Sequence, residues 1–181
     1  MIQNQKIDNL EERLSKIKLV AFDVDGVMTH GEIIYSESGE ELKVFNAKDG
    51  HGVVMLNYKG FVTAIITARQ TPIVDRRAKD LDIKHVYQGA KNKLIALQDL
   101  MGKYNLEYSE IAYVGDDMPD VCILERIGLA FCPNDAVEEV KKICHFISSK
   151  EGGRGAVREI SDFIVSGKTK PAPELSYLEN K

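Results

Sequence analysis

The apolar run Lys18–Asp23 (KLVAFD) constrains the fold more than any other stretch: it is too short for a core helix and ends in an acidic, glycine-containing turn. A continuous apolar run of this length suits a strand buried on both faces of a parallel sheet. The same unit returns at Phe61–Thr67 (FVTAIIT), His85–Gln88, Ile111–Gly115 (IAYVG), Gly128–Cys132 (GLAFC) and His145–Ser148. Between these runs the pattern predicts helices over about 49–58, 71–81, 90–103, 118–126, 135–143 and 155–166. An earlier helix is expected over 8–17, with Asp8 as its N-cap and Leu10, Leu14 and Ile17 on one stripe. Strand alternating with helix requires βαβ crossovers, hence the α/β class with a central parallel sheet covered on both faces. One stretch breaks the alternation. Gly31–Asn46 sets two β-prone runs either side of Ser36-Glu37-Ser38-Gly39, a β-hairpin flap after the first strand. Two strands alone are marginal in water, so the flap must lean on something else.

The chain of 181 residues is long enough for one domain, expected over 1–167, followed by a flexible tail over 168–181 with Pro171, Pro173 and no apolar periodicity. A formal net charge of −4 leaves no basic excess to hold a phosphate backbone, which argues against a nucleic-acid partner. No apolar run approaches the roughly 20 residues of a membrane-spanning helix. The first 16 residues are polar and lack the apolar region of a secretory signal. Cys122, Cys132 and Cys144 form no C-x-x-C pair, so they read as reduced, mostly buried thiols of a cytosolic protein.

In an open parallel sheet, ligands bind beyond the carboxyl ends of the strands, so the polar residues there carry the chemistry. The first strand ends in Asp23-Val-Asp25-Gly26-Val-Met-Thr29 and the second in Thr67-Ala68-Arg69. Lys93 opens the helix after the third, and the fourth ends in Gly115-Asp116-Asp117-Met-Pro-Asp120. Several carboxylates on one rim repel, by about 4 kcal/mol per pair at 4 Å and an effective dielectric near 20. A hard divalent cation with oxygen ligands resolves this, and few carboxylates plus a phosphate suit Mg²⁺. Turn chemistry alone explains Asp25-Gly26, but not all four elements at strand ends in this order.

These four motifs resemble those of the haloacid dehalogenase superfamily of phosphatases, over roughly residues 17–165. The resemblance implies a Rossmann-like three-layer sandwich, with Asp23 as nucleophile forming an aspartyl-phosphate. It implies Asp25 as general acid and then base, Thr67 as a phosphoryl hydrogen-bond donor and Lys93 as a charge neutraliser. Mg²⁺ would be held by Asp23, the Asp25 backbone carbonyl and Asp116, with Asp117 and Asp120 orienting metal-bound water or Lys93. A receiver domain of two-component signalling combines similar residues, but its acidic pair comes first and its phosphoacceptor later, the reverse of this chain. A non-catalytic scaffolding relative would have to explain why every chemical residue is present.

Many superfamily members insert a cap domain. Here Thr67 follows Asp25 by 42 positions and Lys93 follows Thr67 by 26, which leaves no room for one. The chain is similar to the capless subfamily that hydrolyses sugar-acid phosphates, whose members are tetramers with packed hairpins and a neighbouring subunit over each site. Gly-Val-Met-Thr29, Asn46-Ala-Lys48-Asp49-Gly50 and Gly152-Gly153-Arg154-Gly155 carry that likeness, although Ala68 stands where Ser or Gly is expected. The implied substrate is an eight-carbon 3-deoxy-octulosonate 8-phosphate from lipopolysaccharide synthesis, or a nine-carbon sialic-type acid 9-phosphate. Lys48, Arg69 and Arg154, with His51, are the candidates for its carboxylate and hydroxyls. His30, His85 and His145 are expected to be structural, and Arg76-Arg77 to lie on a solvated helix face.

Overall fold

The computed structural model describes residues 9–167, so Asp8 and the tail over 168–181 lie outside the described residues. The N-cap of the first helix is Asn9, in the left-handed conformation, and not Asp8 as expected. After α1 (Leu10–Lys16) comes β1 (Leu19–Phe22), then β2 (Ile34–Tyr35) and β3 (Glu41–Leu42), which pair antiparallel as the hairpin. The chain continues through α2 (Ala47–Tyr58), β4 (Val62–Ile66), α3 (Pro72–Asp80), β5 (His85–Tyr87) and α4 (Lys93–Tyr104). It ends with β6 (Ile111–Val114), α5 (Val121–Leu124), β7 (Leu129–Cys132), α6 (Glu138–Ile143), β8 (Phe146–Ile147) and α7 (Ala156–Ser166). The six apolar runs form one parallel sheet in the order β5-β4-β1-β6-β7-β8.

All four β1 residues are buried because both faces of the sheet are covered, and the pleat divides them. Val20 and Phe22 join Val53, Leu56, Val157 and Ile160 from α2 and α7 on one side. Leu19 and Ala21 join Leu97, Leu100, Ile123 and Val140 from α4, α5 and α6 on the other. This is the expected three-layer α/β sandwich. Strand order places β4 and β5 on one side of β1 and the later strands on the other. The sheet therefore reverses its direction of growth between β1 and β6, and a crevice opens at their carboxyl ends.

Three local departures from the sequence pattern have physical causes. The hairpin strands are two residues each, and the flap leans on the body through Phe45, which packs against the core beneath the Arg77 guanidinium, 5.4 Å from the ring centroid. Arg77 also donates to the Asn46 carbonyl at 3.1 Å, so it is half-buried rather than solvated. The helix expected over 118–126 splits into a 3₁₀ turn, Met118–Asp120, and the four-residue α5. There Asp117 and Asp120 cap each other's backbone across the turn, with Pro119 inside it.

Candidate active site

The turn after β1 brings the first carboxylate to the crevice. Asp23 Oδ1 accepts from the Val24 backbone N–H at 2.7 Å, which fixes the side chain, and Oδ2 accepts from Lys93 Nζ at 2.6 Å. Lys93 is the first residue of α4, whose N-cap Asn92 accepts from the Leu94 N–H. Although a lysine, it is 1% exposed, a burial tolerated only because it is paired twice. Its second partner is Asp120 Oδ1 at 2.7 Å. Asp120 is fully buried and accepts from Lys93, from Tyr113 Oη at 2.6 Å, and from the Asp116 and Asp117 backbone N–H groups at 3.1 and 3.3 Å. Both its oxygens are occupied by these donors, so Asp120 anchors Lys93 and the Asp116–Asp117 turn.

Oxygens of Asp23, Asp116 and Asp120 lie within 4.8 Å of one another. Only Asp23 and Asp116 of these face the cleft, whose volume is about 360 Å³. Asp116 Oδ1 is buried and has no hydrogen-bond partner. Burial first, and then the charge of Asp120, push the Asp23 carboxyl up to about 6, while Lys93 pulls it down. Burial, followed by the charges of Asp120 and Asp23, pushes Asp116 up to about 8. Burial acts to lower the Lys93 ammonium, but Asp23 and Asp120 outweigh it and hold the group above its ordinary value. One ammonium among three carboxylates leaves an excess of negative charge, and the orphaned Asp116 oxygen points at where a hard cation would relieve it. The residues present fit Mg²⁺. Gly26 is required beside this pair: its φ is +82°, and a Cβ there would collide with the Asp116 carboxylate.

Thr67, 2% exposed, follows β4 and lines the same cleft. Its backbone is fixed by N–H donation to the Tyr87 carbonyl and by acceptance from Ala90 N–H. Asp25 lines the cleft as well but stands outside the carboxylate cluster, because Lys43 donates to its Oδ1 and the Arg69 guanidinium faces its Oδ2 at 3.8 Å. Arg69 is thus placed at the site. Asp117 is exposed at the rim and accepts from the Met118 N–H at 2.7 Å.

Lys48, His51 and Arg154 are not brought to the cleft; all three are exposed and none is among the residues lining it. The reason is the register of α2. Asn46 caps the helix and turns buried Asp49 toward α7, where it accepts from Gly155 and Arg158 N–H at 3.1 and 2.9 Å. Lys48 and His51, on either side, are left facing solvent. The glycine run itself does reach the site, since Gly153 N–H donates to the Val27 carbonyl and a Cβ at Gly152 would collide with the Gly26 carbonyl. His30, expected to be structural, lines the cleft instead of His51, with Nδ1 3.2 Å from Gly152 O and 3.4 Å from Asp135 Oδ2. Lys43, Glu41, Asp135 and Tyr113 were not singled out by motif. The only sequence signal for the first two was charge inside a β-prone run.

The parallel sheet, the carboxylates at its switch point and the lysine that neutralises one of them define a haloacid dehalogenase-like hydrolase, and the family model of that description matches residues 81–160. The 3-deoxy-D-manno-octulosonate 8-phosphate phosphatase of Yersinia pestis is 38% identical over 163 residues, 90% of this chain and 87% of the relative. The crystal structure of the Moraxella catarrhalis phosphatase of the same name, in complex with magnesium ion, phosphate ion and a KDO molecule, superposes with a TM-score of 0.86 at 40% identity, covering 89% of this chain and 92% of that one. A probable YrbI family phosphatase from Pseudomonas syringae superposes at 0.87 with 41% identity, covering 95% and 96%. The chain belongs to the 3-deoxy-D-manno-octulosonate 8-phosphate phosphatase family, and is thereby a hydrolase of phosphoric monoesters. This membership displaces the receiver-domain reading.

Proposed function

We propose that the chain hydrolyses 3-deoxy-D-manno-octulosonate 8-phosphate to the free sugar acid and inorganic phosphate, as a step in lipopolysaccharide precursor synthesis. The observation that carries this reading is the Asp23–Lys93–Asp120 chain of contacts beside Asp116 at the β1/β6 crevice. Asp23 attacks phosphorus in line, the bond to the sugar oxygen breaks, and Asp25 protonates the departing oxygen. Asp25 then takes a proton from the water that cleaves the aspartyl-phosphate. Thr67 donates to a phosphoryl oxygen, and Lys93 neutralises charge on the phosphoryl group and on Asp23. The Asp23 and Asp116 carboxylates and the Asp25 carbonyl would hold Mg²⁺, which would supply further charge neutralisation. Asp117 and Asp120 hold the geometry around it. Two cations line the cleft, Lys93 and Arg69; Lys93 is committed to Asp23 and Asp120, so Arg69 takes the substrate carboxylate.

A phosphate-release panel tests the reading. The eight-carbon 8-phosphate is expected to give the highest kcat/KM, above nine-carbon 9-phosphates and hexose phosphates. Preference for a nine-carbon acid would reassign the substrate, and no turnover of any member with Mg²⁺ would leave a scaffolding role.

Residues 1–167 act as one catalytic unit in this reading, and four copies associate. The hairpin supports the assembly, because Ile33, Tyr35, Leu42 and Val44 are 51%, 62%, 50% and 71% exposed on a two-stranded flap. Sedimentation velocity should give a tetramer, and Val44→Lys a smaller species; a monomer at micromolar concentration refutes this. The contribution expected from the tail lies outside the described residues. Three free cysteines fit a cytoplasmic enzyme, and no described helix is long and apolar enough to cross a membrane. Cell fractionation that placed the activity elsewhere would overturn the cytoplasmic assignment.

A further inference from the structure

We propose that Glu41 competes with the carboxylate of the sugar acid for Arg69, and so sets how tightly the enzyme holds substrate and product. The inference rests on the reading of Arg69 as the substrate-carboxylate contact. Four side chains form a closed ring of alternating charge around the acid–base residue. Lys43 donates to Asp25 Oδ1 and lies 3.0 Å from Glu41 Oε1, while the Arg69 guanidinium lies 3.1 Å from Glu41 Oε2 and 3.8 Å from Asp25 Oδ2. The hairpin supplies Glu41 and Lys43; the turns after β1 and β4 supply the other two.

The ring balances two anions against two cations, but its hydrogen bonding is incomplete. Asp25 Oδ2, Glu41 Oε1 and Arg69 Nε are shielded from solvent and make no hydrogen bond of good geometry. Of the three only Arg69 Nε is a donor, and an ionised carboxylate, which only accepts, can complete that corner alone. The corners also differ in access. The Lys43 side chain is 1% exposed and the Arg69 side chain 37%, so an incoming carboxylate reaches Arg69 and not Lys43. Arriving there, it is a third anion in a ring balanced for two, and like charges at contact distance repel. Glu41 is the anion able to release Arg69, because its other oxygen keeps Lys43 at 3.0 Å and its strand is only two residues of the flap. Asp25 meets Arg69 only at 3.8 Å and has little to release. After hydrolysis the product keeps its carboxylate. Return of Glu41 to Arg69 then displaces the product, so a local carboxylate limits product inhibition at the expense of a weaker KM.

The test is Glu41→Gln, which keeps shape and removes charge. KM for 3-deoxy-octulosonate 8-phosphate and the inhibition constant of free 3-deoxy-octulosonate should both fall about two- to tenfold, the range of one partly exposed charged contact. KM for p-nitrophenyl phosphate, which carries no carboxylate, should change by less than about twofold on the same argument. In an Arg69→Ala background the Glu41→Gln effect should vanish, as required of coupled residues. A rise or no change in the keto-acid constants overturns the proposal, and so does an equal fall for p-nitrophenyl phosphate. Arg69→Ala alone separates the two readings. If it leaves keto-acid KM unaltered, the carboxylate assignment itself fails; if it raises KM while Glu41→Gln lowers nothing, only the competition fails. Glu41→Ala provides the same comparison should the glutamine variant not fold.

Discussion

Asp23→Asn is expected to abolish phosphate release, by about 10⁴-fold or more, with the fold intact. An amide oxygen is a poor nucleophile toward phosphorus and cannot yield a stable acyl-phosphate, so chemistry fails at its first step. Stability should change little, for two opposing reasons. Asparagine still offers an oxygen to the Val24 N–H, and the variant relieves a carboxyl already pushed up to about 6 by burial and Asp120. Against this, Lys93 loses one carboxylate but keeps Asp120 at 2.7 Å. Single-turnover phosphate release and thermal melting followed by circular dichroism measure the two halves separately. Retention of even a tenth of the activity in a folded variant would remove Asp23 as nucleophile.

The candidate catalytic residues were legible because most of them follow strand ends, where sequence position and spatial position coincide. Asp23 and Asp116 close β1 and β6, neighbours in the sheet, so short motifs read from separate stretches meet by topology. Lys93 was legible as the first residue of a helix that starts at the same rim. The substrate cations were harder, since a motif fixes where a residue lies along an element but not which way it faces. Lys48 and His51 sit two residues from buried Gly50 and Val53, yet point outward once Asp49 is committed to α7. Lys43 and Glu41 were missed for the converse reason. Their partners Asp25 and Arg69 belong to other elements, and a charged pair in a hairpin of exposed apolar residues reads as solvated edge chemistry until the flap is folded over the crevice.

Asp116→Asn should separate the electrostatics of the site from its catalysis. Turnover with Mg²⁺ is expected to fall by about 10³-fold or more, because the proposed carboxylate ligand and its charge are lost together. In chelator the same variant should be more stable than the parent, which is the less intuitive half. The folded Asp116 carboxyl titrates near 8, well above its ordinary value of 3.8. Below that lower value both folded and unfolded chains hold the proton, and Asp116 contributes no pH dependence. Between the two values the unfolded chain has released its proton while the folded chain keeps it, so the stability of the metal-free parent falls as pH rises, until the folded group ionises. The amide of the variant carries no such proton. The melting temperatures of parent and variant in chelator should therefore converge near pH 4 and diverge toward pH 8, with the variant higher. Mg²⁺ takes the ionised carboxylate, so its binding releases the proton and should raise the melting temperature of the parent most at the alkaline end, and that of the variant far less. A parent–variant difference in melting temperature that stays constant across this range in chelator, or a variant that Mg²⁺ stabilises as strongly as the parent, would place the destabilising charge somewhere other than Asp116.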